Sequence, residues 1–141
     1  MSAADAADPG RDVIRVVLAD DDEAFLESLR ALIEEHPSLS VEATATDGVA
    51  ATELVGALEP DALVIDLHMP KLDGVGAIAQ LRAKHPHLCV IALTGDESRE
   101  IHQKVAEAGG DAVLLKSEMV ENLAERLVAT IPLLHPSPEA G

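Results

Sequence analysis

The chain has 141 residues, with 26 acidic against 10 basic side chains, a formal net charge of −16, one Phe, no Tyr and no Trp. That length suits one domain with a sizeable core, and the single Cys89 excludes an internal disulfide or a cysteine zinc site. The charge repels nucleic acid and anionic lipid, no apolar run approaches the ~20 residues of a membrane span, and the start MSAADAADPGRD has no signal-like pattern, so a cytoplasmic protein without direct nucleic-acid or membrane contact is expected.

Residues 1–12 have no periodicity and read as a disordered tail. The folded unit is expected over 13–131. Residues 13–19 (VIRVVLA) form a short aliphatic run that suits a buried strand. Phe25, Leu26, Leu29, Leu32 and Ile33 then recur at helical spacing opposite Glu27, Arg30, Glu34 and Glu35, and Pro37 stops that helix. The alternation continues with strand 41–45, a helix at about 48–58, strand 61–66, a helix at about 74–84 and strand 88–93. A helix over 97–108, the stop Gly109-Gly110, strand 112–115 and a helix over 118–131 complete it. Residues 132–141 (PLLHPSPEAG) read as a proline-rich tail or linker.

Five strands that each precede a helix call for right-handed crossovers, hence a doubly wound parallel sheet covered on both faces. Ligands of such sheets bind at the carboxyl ends of the strands. The first strand ends in Asp20, Asp21 and Asp22, the third in Asp66, the fourth in Thr94, and Lys116 follows the fifth. Carboxylates on adjacent strand ends repel unless a cation lies between them, and oxygen donors of this kind suit Mg²⁺. A carboxylate can attack phosphorus to give an acyl phosphate, with Asp66 on the central strand best placed. An ammonium and a hydroxyl aimed at the same phosphoryl oxygens are the expected companions, and Lys116 and Thr94 supply them.

Five motifs occur in order: LADDD at 18–22, VIDLHMPKLDG at 64–74, IALTG at 91–95, AGGD at 108–111 and VLLKS at 113–117. Together they resemble the receiver domain of bacterial two-component response regulators over about residues 13–131, and are similar to receivers that precede LuxR-type helix-turn-helix outputs. The resemblance implies a flavodoxin-like sheet of order 2-1-3-4-5 with five helices, and phosphorylation of Asp66 by a histidine kinase or phosphotransfer protein. It also implies Mg²⁺ on Asp20, Asp21, Asp66 and the backbone carbonyl of His68, a switch hydroxyl at Thr94 and a phosphate-contacting Lys116. His68 and Asp96 occupy positions that tune phosphate lifetime. The implied role is a signalling switch toward an effector or output domain, catalysing only its own phosphorylation and dephosphorylation, with a homodimer left open.

Asp22 is expected to cap the first helix, Asp73 to cap the third, and Gly74 to supply a positive φ. Cys89 reads as core, and the remaining histidines as surface. Two departures from the family pattern stand out: Val113 where an aromatic switch residue is frequent, and Ser117 where a proline often follows the lysine. A phosphohydrolase would need a second Asp where His68 stands, and a flavin carrier a phosphate cradle where Asp20–Asp22 stand. A pseudo-receiver that only binds partners is the remaining alternative.

Overall fold

The computed structural model describes residues 13–69, 74–95 and 99–117. Its elements in chain order are β1 (Ile14–Ala19), α1 (Glu23–Glu34), β2 (Leu39–Ala45), α2 (Gly48–Leu58), β3 (Ala62–Asp66), α3 (Gly74–Lys84), β4 (Cys89–Thr94), α4 (Arg99–Ala108) and β5 (Ala112–Leu115). Every strand pairing is parallel and the order is β2-β1-β3-β4-β5, as expected. The fifth expected helix (118–131), the start of the fourth (97 and 98), Asp73 and both tails lie outside the described residues.

Local chemistry sets the helix starts. Asp22 is extended and its side chain accepts the Phe25 N–H at 3.2 Å, while Asp47 does the same for Ala50 at 2.8 Å. Asp22 is thus the cap that was expected. α2 ends on Glu59, whose φ of 47° is the only positive value among the described non-glycine residues, and Pro60 follows. β2 begins two residues before the sequence expectation because Leu39 already pairs with Ile14 and is buried. Polar Ser40 hides this in the sequence.

Side chains of the central strands alternate between two cores. Val16, Leu18, Val64, Ile91 and Leu93 face α1 through Leu26, Leu29 and Ile33. Val17, Leu63, Ile65, Val90 and Ala92 face Val55 of α2, Ile78 and Leu81 of α3 and Val105 of α4. Both faces of β3 and β4 are covered, which is why these strands read as unbroken apolar runs rather than alternating ones.

Two turns depend on glycine for different reasons. Gly109 has a φ of 105°, as its place at a helix stop requires. Gly74 does not have the expected positive φ. A Cβ there would lie 2.7 Å from the Leu67 Cα, so glycine is needed for close approach of α3 to the chain leaving β3. Gly74→Ala is therefore expected to cost about 1–3 kcal/mol in urea unfolding, because backbone rather than a flexible side chain must move.

The turn before β5 is braced by Arg82, which donates to the Gly109 carbonyl at 2.8 Å and pairs with Asp111 Oδ2 at 2.7 Å. The same oxygen accepts the Val90 N–H at 2.7 Å. α3, β4 and the start of β5 are thereby fixed to one another.

Cys89 is fully buried at the start of β4, in the core position expected of it. Burial, helped by the Asp111 charge and opposed by that of Arg82, pushes its thiol from 9.0 up to about 12. The raised value means that the thiol's contribution to stability is intact below the unfolded value and is lost as pH rises from about 9 to about 12. At pH 8.5 the native protein should resist alkylation by iodoacetamide, and the urea-unfolded protein should react fully, as read by mass.

Candidate functional site

Register brings the strand ends to one rim. Ala19 lies beside Ile65, so Asp20 and Asp66 leave neighbouring strands at the same height. Asp66 lies beside Leu93 and Thr94 beside Leu115, which places Thr94 and then Lys116 on the next strands of the same edge. Asp20, Asp66 and Thr94 are the buried polar side chains among the described residues, with exposures of 0%, 2% and 0%.

The Lys116 ammonium bridges the two carboxylates, at 2.8 Å from Asp20 Oδ2 and 3.2 Å from Asp66 Oδ2. The other oxygens are held by backbone. Asp20 Oδ1 accepts the Asp22 N–H at 2.9 Å, and Asp66 Oδ1 accepts the His68 N–H at 3.0 Å. These bonds orient each carboxylate, so its remaining oxygen faces the shared space.

The balance of charge is unfavourable. Asp21, exposed beside Asp20, brings a third carboxylate, and ligand oxygens of Asp20, Asp21 and Asp66 lie within 4.8 Å of one another. Two unit charges at that separation repel by about 3 kcal/mol at an effective dielectric near 20. Burial raises the Asp20 carboxyl above its ordinary range and the Asp66 charge adds to the rise, although the contacts to Lys116 and the Asp22 N–H oppose it. Burial alone would lower the Lys116 ammonium, but its contacts with Asp20 and Asp66 outweigh that and raise it.

Three carboxylates with one ammonium leave room for a hard cation. The ammonium contact to Asp20 Oδ2 is a short ion pair, but that buried atom has no well-directed hydrogen bond. An oxygen-only donor set with three carboxylates against one ammonium fits Mg²⁺, which prefers a few carboxylates and keeps waters.

Of the residues singled out in the sequence, Asp20, Asp21, Asp66 and Lys116 meet here, and Thr94 ends β4 at the same rim. The His68 side chain is exposed next to the site, its backbone N–H committed to Asp66. Asp96 lies outside the described residues. One neighbour was not foreseen: the Phe25 ring, with its centroid 4.7 Å from Lys116 Nζ. At helical spacing Phe25 is indistinguishable from the apolar stripe of α1, and only the fold turns it toward the lysine.

The family model for the response regulator receiver domain matches residues 16–128. The chain belongs to this family. Among curated relatives of this receiver, the response regulator MprA of Mycobacterium avium (strain 104) is 37% identical over 129 residues, covering 90% of this chain and 55% of that protein. A protein-glutamate methylesterase/protein-glutamine glutaminase of Anaeromyxobacter dehalogenans is 36% identical over 112 residues, covering 79% of this chain and 33% of that protein. The receiver thus spans about half or less of the length of these relatives.

Solved structures agree. The signal receiver domain of NarL from Mycobacterium tuberculosis superposes with a TM-score of 0.81 at 25% identity, covering 89% of this chain and 99% of that one. The response regulator domain of Thermotoga maritima CheB gives 0.76 at 27%, again over 89% and 99%. A LuxR-family DNA-binding response regulator of Staphylococcus aureus gives 0.78 at 25%, over 83% and 98%. The flavodoxin-like receiver fold and the likeness to LuxR-type receivers follow. No helix among the described residues is long and apolar enough to cross a membrane.

Proposed function

We propose that this receiver takes a phosphoryl group onto Asp66 from a histidine kinase or phosphotransfer protein, with Asp20, Asp21, Asp66 and the His68 carbonyl holding Mg²⁺. The observation that carries this reading is the convergence of buried Asp20 and Asp66 on the single ammonium of Lys116. A bound Mg²⁺ would neutralise charge on the transferring oxygens.

The chain's own residues account for the rest. A carboxylate oxygen of Asp66 forms the new bond to phosphorus as the bond from phosphorus to the donor's imidazole nitrogen breaks, and the electron pair leaves with the donor. The His68 N–H holds the Asp66 carboxylate in one orientation. Lys116, already within reach of both carboxylates, offsets the added charge, and the Thr94 hydroxyl is the switch that responds to it.

Without an aromatic at position 113, the response passes through packing around half-buried Val113, which joins the core beneath α4. His68 and Asp96 set the lifetime of the phosphoryl group. In this reading residues 13–131 are the receiver and the flanks are tails or a linker. The receiver is a cytoplasmic switch that signals to an effector or output domain, contacts no nucleic acid itself and catalyses only its own phosphorylation and dephosphorylation.

Intact mass after incubation with acetyl phosphate and Mg²⁺ tests the reading. One phosphoryl adduct, absent when EDTA replaces Mg²⁺, is expected. No adduct with acetyl phosphate or a cognate kinase would favour a pseudo-receiver that acts through binding alone.

A further inference from the structure

The chain's single Phe, in a sequence without Tyr or Trp, packs against the core from α1 and also reaches the charged rim. Leu26, Leu29 and Ile33 supply the buried stripe of α1, whereas Phe25 is only half-buried and presents its ring to Lys116 Nζ at 4.7 Å. A cation within about 6 Å of an aromatic centroid is attracted by the ring quadrupole.

The contact also closes a circuit. Asp20 Oδ1 accepts the Asp22 N–H, Asp22 Oδ1 accepts the Phe25 N–H, the Phe25 ring faces Lys116, and Lys116 returns to Asp20 Oδ2. The α1 cap and the lysine are therefore built as one unit. A lysine side chain has four flexible torsions and here is 30% exposed, so the two carboxylates alone leave it other rotamers.

We propose that Phe25 is a positioning residue for Lys116: its ring confines the ammonium to the space between Asp20 and Asp66. The role rests on the reading of Asp66 as phosphoacceptor only in its consequence for transfer. The confinement itself needs neither metal nor phosphoryl group and is measured without them.

Two measurements on the full chain without metal test it. In NMR spectra the Lys116 Cε protons, assigned with Lys116→Met, should be shifted by the ring in wild type and in Phe25→Tyr, and should return to ordinary lysine values in Phe25→Leu. In urea unfolding, Phe25→Leu and Lys116→Met should not combine independently. Their unfolding constants should depart from multiplicativity by about two- to fivefold, the range expected for one partly exposed cation–π contact. Multiplicative constants together with an unshifted lysine in wild type would overturn the proposal and leave Phe25 a packing residue. Acetyl phosphate then separates this failure from that of the functional reading. Slower labelling of Phe25→Leu than of wild type and Phe25→Tyr supports the proposal, equal rates count against it, and no labelling of wild type defeats the Asp66 reading while the NMR and urea results still decide the role of Phe25.

Discussion

Asp66→Asn is expected to take up no phosphoryl group from acetyl phosphate and Mg²⁺ while wild type takes up one, as read by intact mass. It is also expected to be more stable than wild type when metal is absent. In wild type two buried carboxylates share one ammonium, with Asp21 adding a third charge nearby. Neutralising Asp66 leaves Asp20 and Lys116 as a matched pair, and the amide oxygen can still accept the His68 N–H, although the amide NH2 then stands where Oδ2 met Lys116 and offsets part of the gain. A gain of about 1 kcal/mol, roughly 3–5 °C in melting temperature, follows from relief of that repulsion. Millimolar Mg²⁺ should raise the melting temperature of wild type and act much less on Asp66→Asn, because a cation stabilises only the state that binds it. An adduct on Asp66→Asn would move the phosphoacceptor elsewhere. A variant that melts below wild type without metal would show that the carboxylates are not in net repulsion.

Lys116→Ala should act in the opposite direction. Removing the ammonium leaves Asp20 and Asp66, 0% and 2% exposed, without their only countercharge among the described residues. Breaking a buried ion pair from one side costs about 3–5 kcal/mol. The lysine is 30% exposed, so water reaches the gap and a loss of about 2–3 kcal/mol is expected, roughly 10 °C in melting temperature. Mg²⁺ should recover much of it, since a divalent cation replaces the missing charge. Calorimetry with EDTA and with Mg²⁺ separates the cases. A variant that melts like wild type in EDTA would mean that the bridge contributes nothing, and a variant that Mg²⁺ fails to rescue would place the cation away from these carboxylates.

The two predictions share a cause. Asp20 and Asp66 are taken out of water by the sheet itself, as continuations of strands covered on both faces, so a charge change on either carboxylate is screened less than at an open surface, while water still reaches the rim through half-buried Lys116 and exposed Asp21. The same burial makes the site responsive: one added phosphoryl charge meets a fixed set of donors instead of bulk water.

Much of this was legible in the residues. Aliphatic runs at regular spacing, each followed by a helical period, lead to the parallel sheet, the resemblance carried by the five motifs implies its order, and the strand-end positions of Asp20, Asp66, Thr94 and Lys116 lead to one rim. These features are local in sequence, and topology rules carry them into space. The Asp22 cap and the core position of Cys89 follow in the same way.

What the tertiary structure alone decided involves pairs far apart in the chain. The bridge from Lys116 to both Asp20 and Asp66 depends on strand register, which sets heights that a motif does not encode. Gly74 is required by the approach of Leu67 and not by its own φ. Asp111, within a recognisable turn motif, acts by tying Arg82 to Val90. Phe25 has helical spacing typical of a core residue, and only the closeness of α1 to the end of β5 gives its ring a charged neighbour. Periodicity determines which face of an element is apolar, but which side chain meets which partner across that face is decided when the elements pack.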